Sequence, residues 1–243
     1  PEKVNLNNSV HDYKKVHSNI HKFYSTMESH SYWKDHPMSQ SYFDELKKRI
    51  YQNAKATLRK IKKDSVKNVN HIAMEFERKK AADVYRKTSI SKTGVLDTNK
   101  LFSAKYNEDV FKKSVRVPDG KNHGLCMFID WSGSMASNMQ GCIRQLIELI
   151  LFCKKVNIPF EVYSFTDVGT QNGSCEKKNS FGYRHGDLVI DEKVTLNNYF
   201  SSRMNTKAFN EALINICVIS NSFRGGYQHY PIPEQDRLGY TPL

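Results

Sequence analysis

The sequence is short of several things, and each shortage closes off a class of protein. Only 12 glycines and 7 prolines occur in 243 residues, which excludes collagen-like and low-complexity chains. No stretch approaches the roughly 18 consecutive apolar residues of a membrane-spanning helix, so no helical membrane span is expected. The opening residues, Pro1-Glu2-Lys3-Val4-Asn5, lack the apolar core of a secretory signal. They also lack an initiator methionine, so a fragment is expected. Cysteines number five, Cys126, Cys142, Cys153, Cys175 and Cys217. The count is odd and no pair has CxxC spacing, so neither a disulfide framework nor a thiolate zinc site is expected. Four of the five lie in apolar runs, where a free cysteine behaves as a small hydrophobe. A reducing cytoplasm is the expected location. Walker A, HExxH and GxSxG strings are absent as well.

What is present is a globular composition with a lopsided charge. Apolar residues make up 39% and charged residues 26% of the chain. The net charge of +12 lies wholly in the first half. Residues 1–122 carry 26 Lys and Arg against 14 Asp and Glu, whereas residues 123–243 carry 11 of each. This shift places a boundary near Lys121. Three regions are expected: a basic helical region over 1–90, an irregular connecting segment over 91–121, and an α/β domain over 122–243.

Apolar residues at steps of three and four predict helices in the first region. One runs from Val10 to about Met27 through Val16, Ile20 and Tyr24. A second runs from Ser39 to about Lys63 through Tyr42, Leu46, Ile50, Ala54, Leu58 and Ile61. A third runs from Ser65 to about Lys87 through Val66, Val69, Ile72 and Ala73. The densest basic stretches, Arg59-Lys60-Ile61-Lys62-Lys63 and Arg78-Lys79-Lys80, fit a solvated helix face. They also fit a surface for nucleic acid or for an acidic protein. No RNP aromatics, helix-turn-helix spacing or zinc knuckle makes a nucleic-acid reading specific.

The pattern changes at Gly124. Gly124 to Ile129 is a continuous apolar run of strand length, the pattern of a strand covered on both faces. Asn138 opens a helical stretch to Lys155, and Phe160 to Phe165 reads as a second strand. That is a βαβ unit, with the first strand expected to be central and parallel to the second. Asp187 to Ile190 is expected to be a short further strand and Asn205 to Ser220 a helix.

Between the first strand and its helix lies Asp130-Trp131-Ser132-Gly133-Ser134. In an open α/β sheet, ligands collect at the carboxyl ends of strands. A DxSxS turn there gathers one carboxylate and two hydroxyls, hard oxygens suited to Mg²⁺ or Mn²⁺ rather than zinc. Gly133 is expected to relieve a tight turn. The plain alternative is a helix-capping turn rich in Asp and Ser.

Phe128 to Met135 resembles the first metal-ion-dependent adhesion motif (MIDAS) of von Willebrand factor A domains. Gly239-Tyr240-Thr241-Pro242-Leu243 resembles the second, in which a turn presents a threonine. The resemblance covers roughly residues 122–243. Phe76 to Asp83, Thr93 to Asp97 and Asn107 to Phe111 further resemble the segment before the A domain in cobaltochelatase CobT-like proteins, most nearly those of tailed bacteriophages. The resemblance implies a partial Rossmann-like A domain, a mostly parallel sheet with flanking helices, preceded by the basic helical region.

It also implies roles. Ser132 and Ser134 would bind Mg²⁺ or Mn²⁺ through their hydroxyls, Asp130 through its carboxylate, and Thr241 from the second loop. The family's third motif, an aspartate after a later strand, has no counterpart before Leu243. The domain is therefore expected to be incomplete, and its metal to be held weakly. Asp167, just after the second strand, is the candidate substitute. His123 and His185 read as surface or turn residues.

The leading functional expectation is a non-catalytic, metal-dependent protein-binding module. Its partner would be a AAA+ ATPase of the CobS chelatase type, or another protein offering an acidic residue to the metal. One alternative is a cobaltochelatase subunit acting in metal insertion into a corrin ring. The other is nucleic-acid binding through the basic half. No membrane partner is expected, and no catalytic turnover by this polypeptide alone.

Overall fold

The computed structural model describes residues 4–5, 10–26, 40–87, 89–91, 97–100, 102, 105–106, 114–116, 124–167, 188–189, 194–224 and 227–239. The chain forms two compact units, Pro1–Val69 with Gly124–Leu243, and Asn70–His123.

The first unit is built on a four-stranded mixed sheet. Its strands are β2 (Val10–His11), β5 (Leu125–Asp130), β6 (Phe160–Thr166) and β8 (Thr195–Ser201), in the order β2-β8-β6-β5. β5 and β6 run parallel, β8 runs antiparallel to β6, and β2 runs parallel to β8. Two further strands, β1 (Val4–Asn5) and β7 (Leu188–Val189), pair with each other in parallel. The unit thus has α/β architecture compatible with a Rossmann-like fold, and its sheet is mixed, with two parallel pairings and one antiparallel.

The described helices of this unit are α1 (Tyr13–Ser25), α2 (Gln40–Lys87) as far as Val69, α3 (Met139–Lys155) and α4 (Thr206–Ser222). Each turns one stripe inward. α1 buries Val16, Ile20 and Tyr24. α2 buries Phe43, Leu46, Ile50, Ala54, Leu58, Ile61, Ser65 and Val69, at steps of three and four. α3 and α4 bury Ile143, Ile147, Ile150, Leu213, Ile216 and Cys217. α4 starts where Asn205 Oδ1 accepts the Ala208 amide at 2.8 Å, a side-chain N-cap.

Three expectations about elements change here. Val10 is not helical; it pairs with Leu196 in the sheet. The second and third helices are one helix of 48 residues. The polar Asp64-Ser65 step does not break it. Ser65 Oγ lies 2.7 Å from the Ile61 carbonyl oxygen and 2.8 Å from Glu148 Oε1, so the buried hydroxyl is satisfied within the helix and against α3. Tyr42, Val66 and Ile72 are exposed rather than buried, because the continuous helix turns Phe43, Ser65 and Val69 inward.

β5 also departs from the reading of a central strand covered on both faces. It is an edge of the described sheet. Met127 and Ile129 enter the core, whereas Leu125, Cys126 and Phe128 are exposed. Tyr163 and Phe165 on β6 and Leu196 on β8 share the Phe128 side, and none belongs to the helix-packed core. Cys126 is therefore not a core residue, unlike Cys153 and Cys217.

The third long strand, β8, lies where no strand was expected. Asn197 and Asn198 are residues disfavoured in strands, yet both are buried here. Asn197 Oδ1 meets His11 Nδ1 at 2.8 Å and its Nδ2 donates to the Gln235 carbonyl at 3.2 Å, whereas Asn198 Nδ2 donates to Glu161 Oε2 at 2.7 Å and its Oδ1 is buried without a partner among the described residues. The chain then forms a short antiparallel pair, β9 (Phe223–Arg224) with β10 (Tyr227–Gln228). It returns through Pro231–Gly239.

Among its described residues the second unit contains the part of α2 from Asn70 onward and one antiparallel pair, β3 (Ser89–Ser91) with β4 (Ser114–Arg116). The segment read as irregular thus supplies β4. Arg78 pairs with Glu75 and Arg86 with Asp83 along the helix. Such exposed pairs contribute a few tenths of a kcal/mol each. No described helix is long and apolar enough to cross a membrane.

Candidate metal centre

The DxSxS turn stands where β5 ends. Asp130 is the last residue of the strand, paired in register with Phe165. Trp131 then turns inward, Ser132 is buried, and Gly133–Met135 forms one 3₁₀ turn before α3. The three chemical residues are drawn together by the turn itself. Asp130 Oδ1 accepts the Ser132 amide at 3.0 Å, and the Ser132 and Ser134 hydroxyl oxygens lie 2.9 Å apart.

That hydroxyl spacing suits a hard cation. Oxygens at about 2.0–2.1 Å from an octahedral ion stand about 2.9 Å from their neighbours. The two hydroxyls are hydrogen-bonded to each other at that same separation, so an ion would replace this bond without moving the oxygens apart. Asp130 keeps Oδ2 outside its hydrogen bond to Ser132, and it is half-buried at the mouth of the turn. The donor set of one carboxylate and two hydroxyls fits Mg²⁺ or Mn²⁺ and is unlike the His and Cys sets of zinc. Among the described residues no group of three or more His, Cys, Asp and Glu stands ready to hold a metal. The site therefore rests on hydroxyl ligands.

A second segment is docked on the turn. Gly133 N–H donates to the Gly239 carbonyl at 2.7 Å, and Gly239 N–H donates to the Trp131 carbonyl at 3.2 Å. Ser132 and Gly239 form a parallel bridge. The sequence alone separates these residues by more than a hundred positions; the fold places them side by side. Thr241, two residues further on, lies outside the described residues, as do His123 and His185. Asp167 follows β6 at the edge where Asp130 ends β5, since the two strands are parallel neighbours.

Gly133 does not have the role expected of it. Its backbone is not left-handed, and an added Cβ would meet only the Gly239 carbonyl oxygen at 3.7 Å, ordinary contact. The turn is set instead by hydrogen bonds and by Trp131.

Behind the turn is a buried support that periodicity does not reveal. Trp131 is fully buried, stacked on Tyr199 with centroids 5.3 Å apart. Its indole N–H donates to the Asp236 carbonyl at 2.8 Å. Tyr199 donates its hydroxyl to Asp236 Oδ1. Asp236 has no solvent exposure, and burial lifts its carboxyl to about 7. Burial, reinforced by Asp236, pushes the Tyr199 phenol well above its ordinary value. Gln235 donates to the Val16 carbonyl at 3.0 Å and accepts from Asn19 at 2.8 Å, and Tyr24 donates to the Pro231 carbonyl at 3.2 Å. The segment carrying Gly239 is thus tied to α1 and β8 before it reaches the turn. An Asp within Pro-Glu-Gln-Asp-Arg carries no sequence signal of burial; the aromatic partners that bury it come from other elements.

The basic stretch Arg59–Lys63 lies on the outer side of α2, with Ile61 turned into the core. No protein-family model, curated protein or solved structure matches the chain.

Proposed function

We propose that this polypeptide is a cation-dependent protein-binding module of the von Willebrand factor A type. Asp130, Ser132 and Ser134 would hold Mg²⁺ or Mn²⁺, with Thr241 as the further ligand from the adjoining loop. The bound ion supplies an open coordination position that a carboxylate of the partner completes. The observation that carries the reading is the Ser132–Ser134 hydroxyl pair, 2.9 Å apart beside Asp130, with the Gly239 segment hydrogen-bonded alongside. An ordinary capping turn needs no second segment, and neither Asn138 nor Ser132 makes a side-chain cap here. The partner is proposed to be a AAA+ ATPase of the chelatase class, met through the metal and through the basic helical surface.

Calorimetry with Mg²⁺ and Mn²⁺ tests the site. Binding should be lost in Asp130→Ala and in Ser132→Ala/Ser134→Ala, since each removes oxygens that a hard cation requires. Unchanged affinity in the double serine variant rejects the site. Co-purification with a chelatase-type AAA+ ATPase tests the function. Recovery should fall with EDTA and, separately, with salt, because exposed charges are screened over about 8 Å at physiological ionic strength. Equal recovery with and without EDTA rejects the metal-dependent mechanism.

A further inference from the structure

A second concave site lies away from the DxSxS turn, where α1, α2 and α4 converge. The cavity measures about 640 Å³ and is open to solvent. Its floor is His17, which sits between two partners. Nε2 lies 2.7 Å from the Tyr199 carbonyl and Nδ1 lies 3.2 Å from Asn215 Nδ2. An amide nitrogen donates, so Nδ1 accepts and the proton is on Nε2. Burial also lowers the His17 pKa, which keeps the ring neutral. Both nitrogens are committed, so His17 is neither a free base nor a metal ligand.

The walls carry the charge. Lys22 and His21 come from α1, Lys55 from α2 and Glu211 from α4. Neither lysine has an ion-pair partner among the described residues, and the two lysines outnumber the one carboxylate of the lining, Glu211. Glu211, the one acidic residue of the lining, acts on His17 at the floor. Tyr51 adds a hydroxyl, and its ring packs edge-on against Tyr24 with centroids 5.9 Å apart. Burial raises the Tyr51 pKa, so this hydroxyl stays a donor. Lys22, Lys55, His21 and Tyr51 therefore offer cationic and neutral donors around one volume. Ile214 and the Tyr51 ring offer it apolar surface.

We propose that this groove binds a small phosphorylated molecule, its phosphate held by Lys22, Lys55 and the Tyr51 hydroxyl, its carbon body resting against Tyr51 and Ile214. Lysine is a point-charge phosphate ligand. The volume lies within the range of about 300–1,000 Å³ usual for small-molecule sites and far exceeds a bare phosphate. The site is independent of the DxSxS turn, and neither reading requires the other.

The test follows the His21 imidazole by NMR while inorganic phosphate is added to the whole chain at constant ionic strength, with chloride as the control. Phosphate should shift the ring saturably and chloride should not. Lys22→Glu/Lys55→Glu should weaken binding at least tenfold, and Tyr51→Phe severalfold. These residues lie at the surface or half-buried, so folding should persist. Lys22→Gln/Lys55→Gln provides the same test if the glutamates unfold the chain. Ser132→Ala/Ser134→Ala should leave phosphate binding unchanged. A response that matches chloride, or that survives either double lysine substitution, overturns the proposal.

Discussion

The two faces of the β5–β6–β8 sheet have similar residues and opposite fates. On one face Met127, Ile129, Val162 and Phe200 merge with the stripes of α1 to α4 into one core. On the other, Phe128, Tyr163, Phe165 and Leu196 remain outside that core, and Phe128 is 59% exposed. The run Leu125 to Ile129 is apolar at every position, so its hydrophobicity cannot distinguish the faces. Alternation supplies the distinction only after the helices have taken one side. β5 is also an edge of the sheet among the described residues, and an open edge is a route to self-association.

The largest break in that comparison comes at the end of the same strand. Trp131→Ala should cost about 3–5 kcal/mol, because it removes a fully buried ring, its stacking on Tyr199 and the Asp236 hydrogen bond. Phe128→Ala, three positions earlier, should cost less than about 1 kcal/mol, since most of the ring already faces water. Urea unfolding of the two variants reads the contrast. Equal losses would mean that both faces are buried in solution.

A smaller effect tests the support behind the turn through pH. Asp236 is held near 7 in the folded protein against 3.8 as the ordinary value. The folded state therefore holds a proton that the unfolded chain has released between these limits. Stability from this group falls as pH rises from about 4 to about 7 and is level above that. Asp236→Asn should remove the fall and stabilise the protein above pH 7 by at most about 4 kcal/mol. His17 and His11, both lowered mainly by burial, slope the other way below 6.5, so the difference between wild type and variant is the quantity to follow. Parallel pH profiles for the two proteins would count against a buried, protonated Asp236.

Periodicity made β5, α3, β6 and α4 legible because each is a local pattern closed by a turn. β8 was hidden because Asn197 and Asn198 are residues disfavoured in strands, and their partners His11, Gln235 and Glu161 come from other parts of the chain. β2 was hidden because Val10 fits the spacing of α1. The DxSxS turn was legible as a string, since Asp130, Ser132 and Ser134 lie within five residues. Its support was not. Trp131, Tyr199 and Asp236 come from three separate stretches, and no local rule joins them. The resemblance pointed to Gly239–Leu243 as a loop presenting Thr241, and the backbone pairing of Gly239 with the turn came from the fold alone.

The smallest prediction sharpens the outer face itself. Phe128 and Tyr163 are cross-strand partners whose rings stack at 6.0 Å and 24°. Aromatic pairs of this geometry contribute about 0.5–1.5 kcal/mol beyond area burial, and an exposed pair belongs at the low end. A double-mutant cycle with Phe128→Ala and Tyr163→Ala should therefore give a coupling near 0.5 kcal/mol. Self-association should fall in Phe128→Lys, because a charge on an edge strand opposes pairing with a second edge. Coupling within error of zero, together with unchanged sedimentation of the lysine variant, would mean that the outer face neither orders itself nor drives association. The contrast between the faces would then be one of core packing alone.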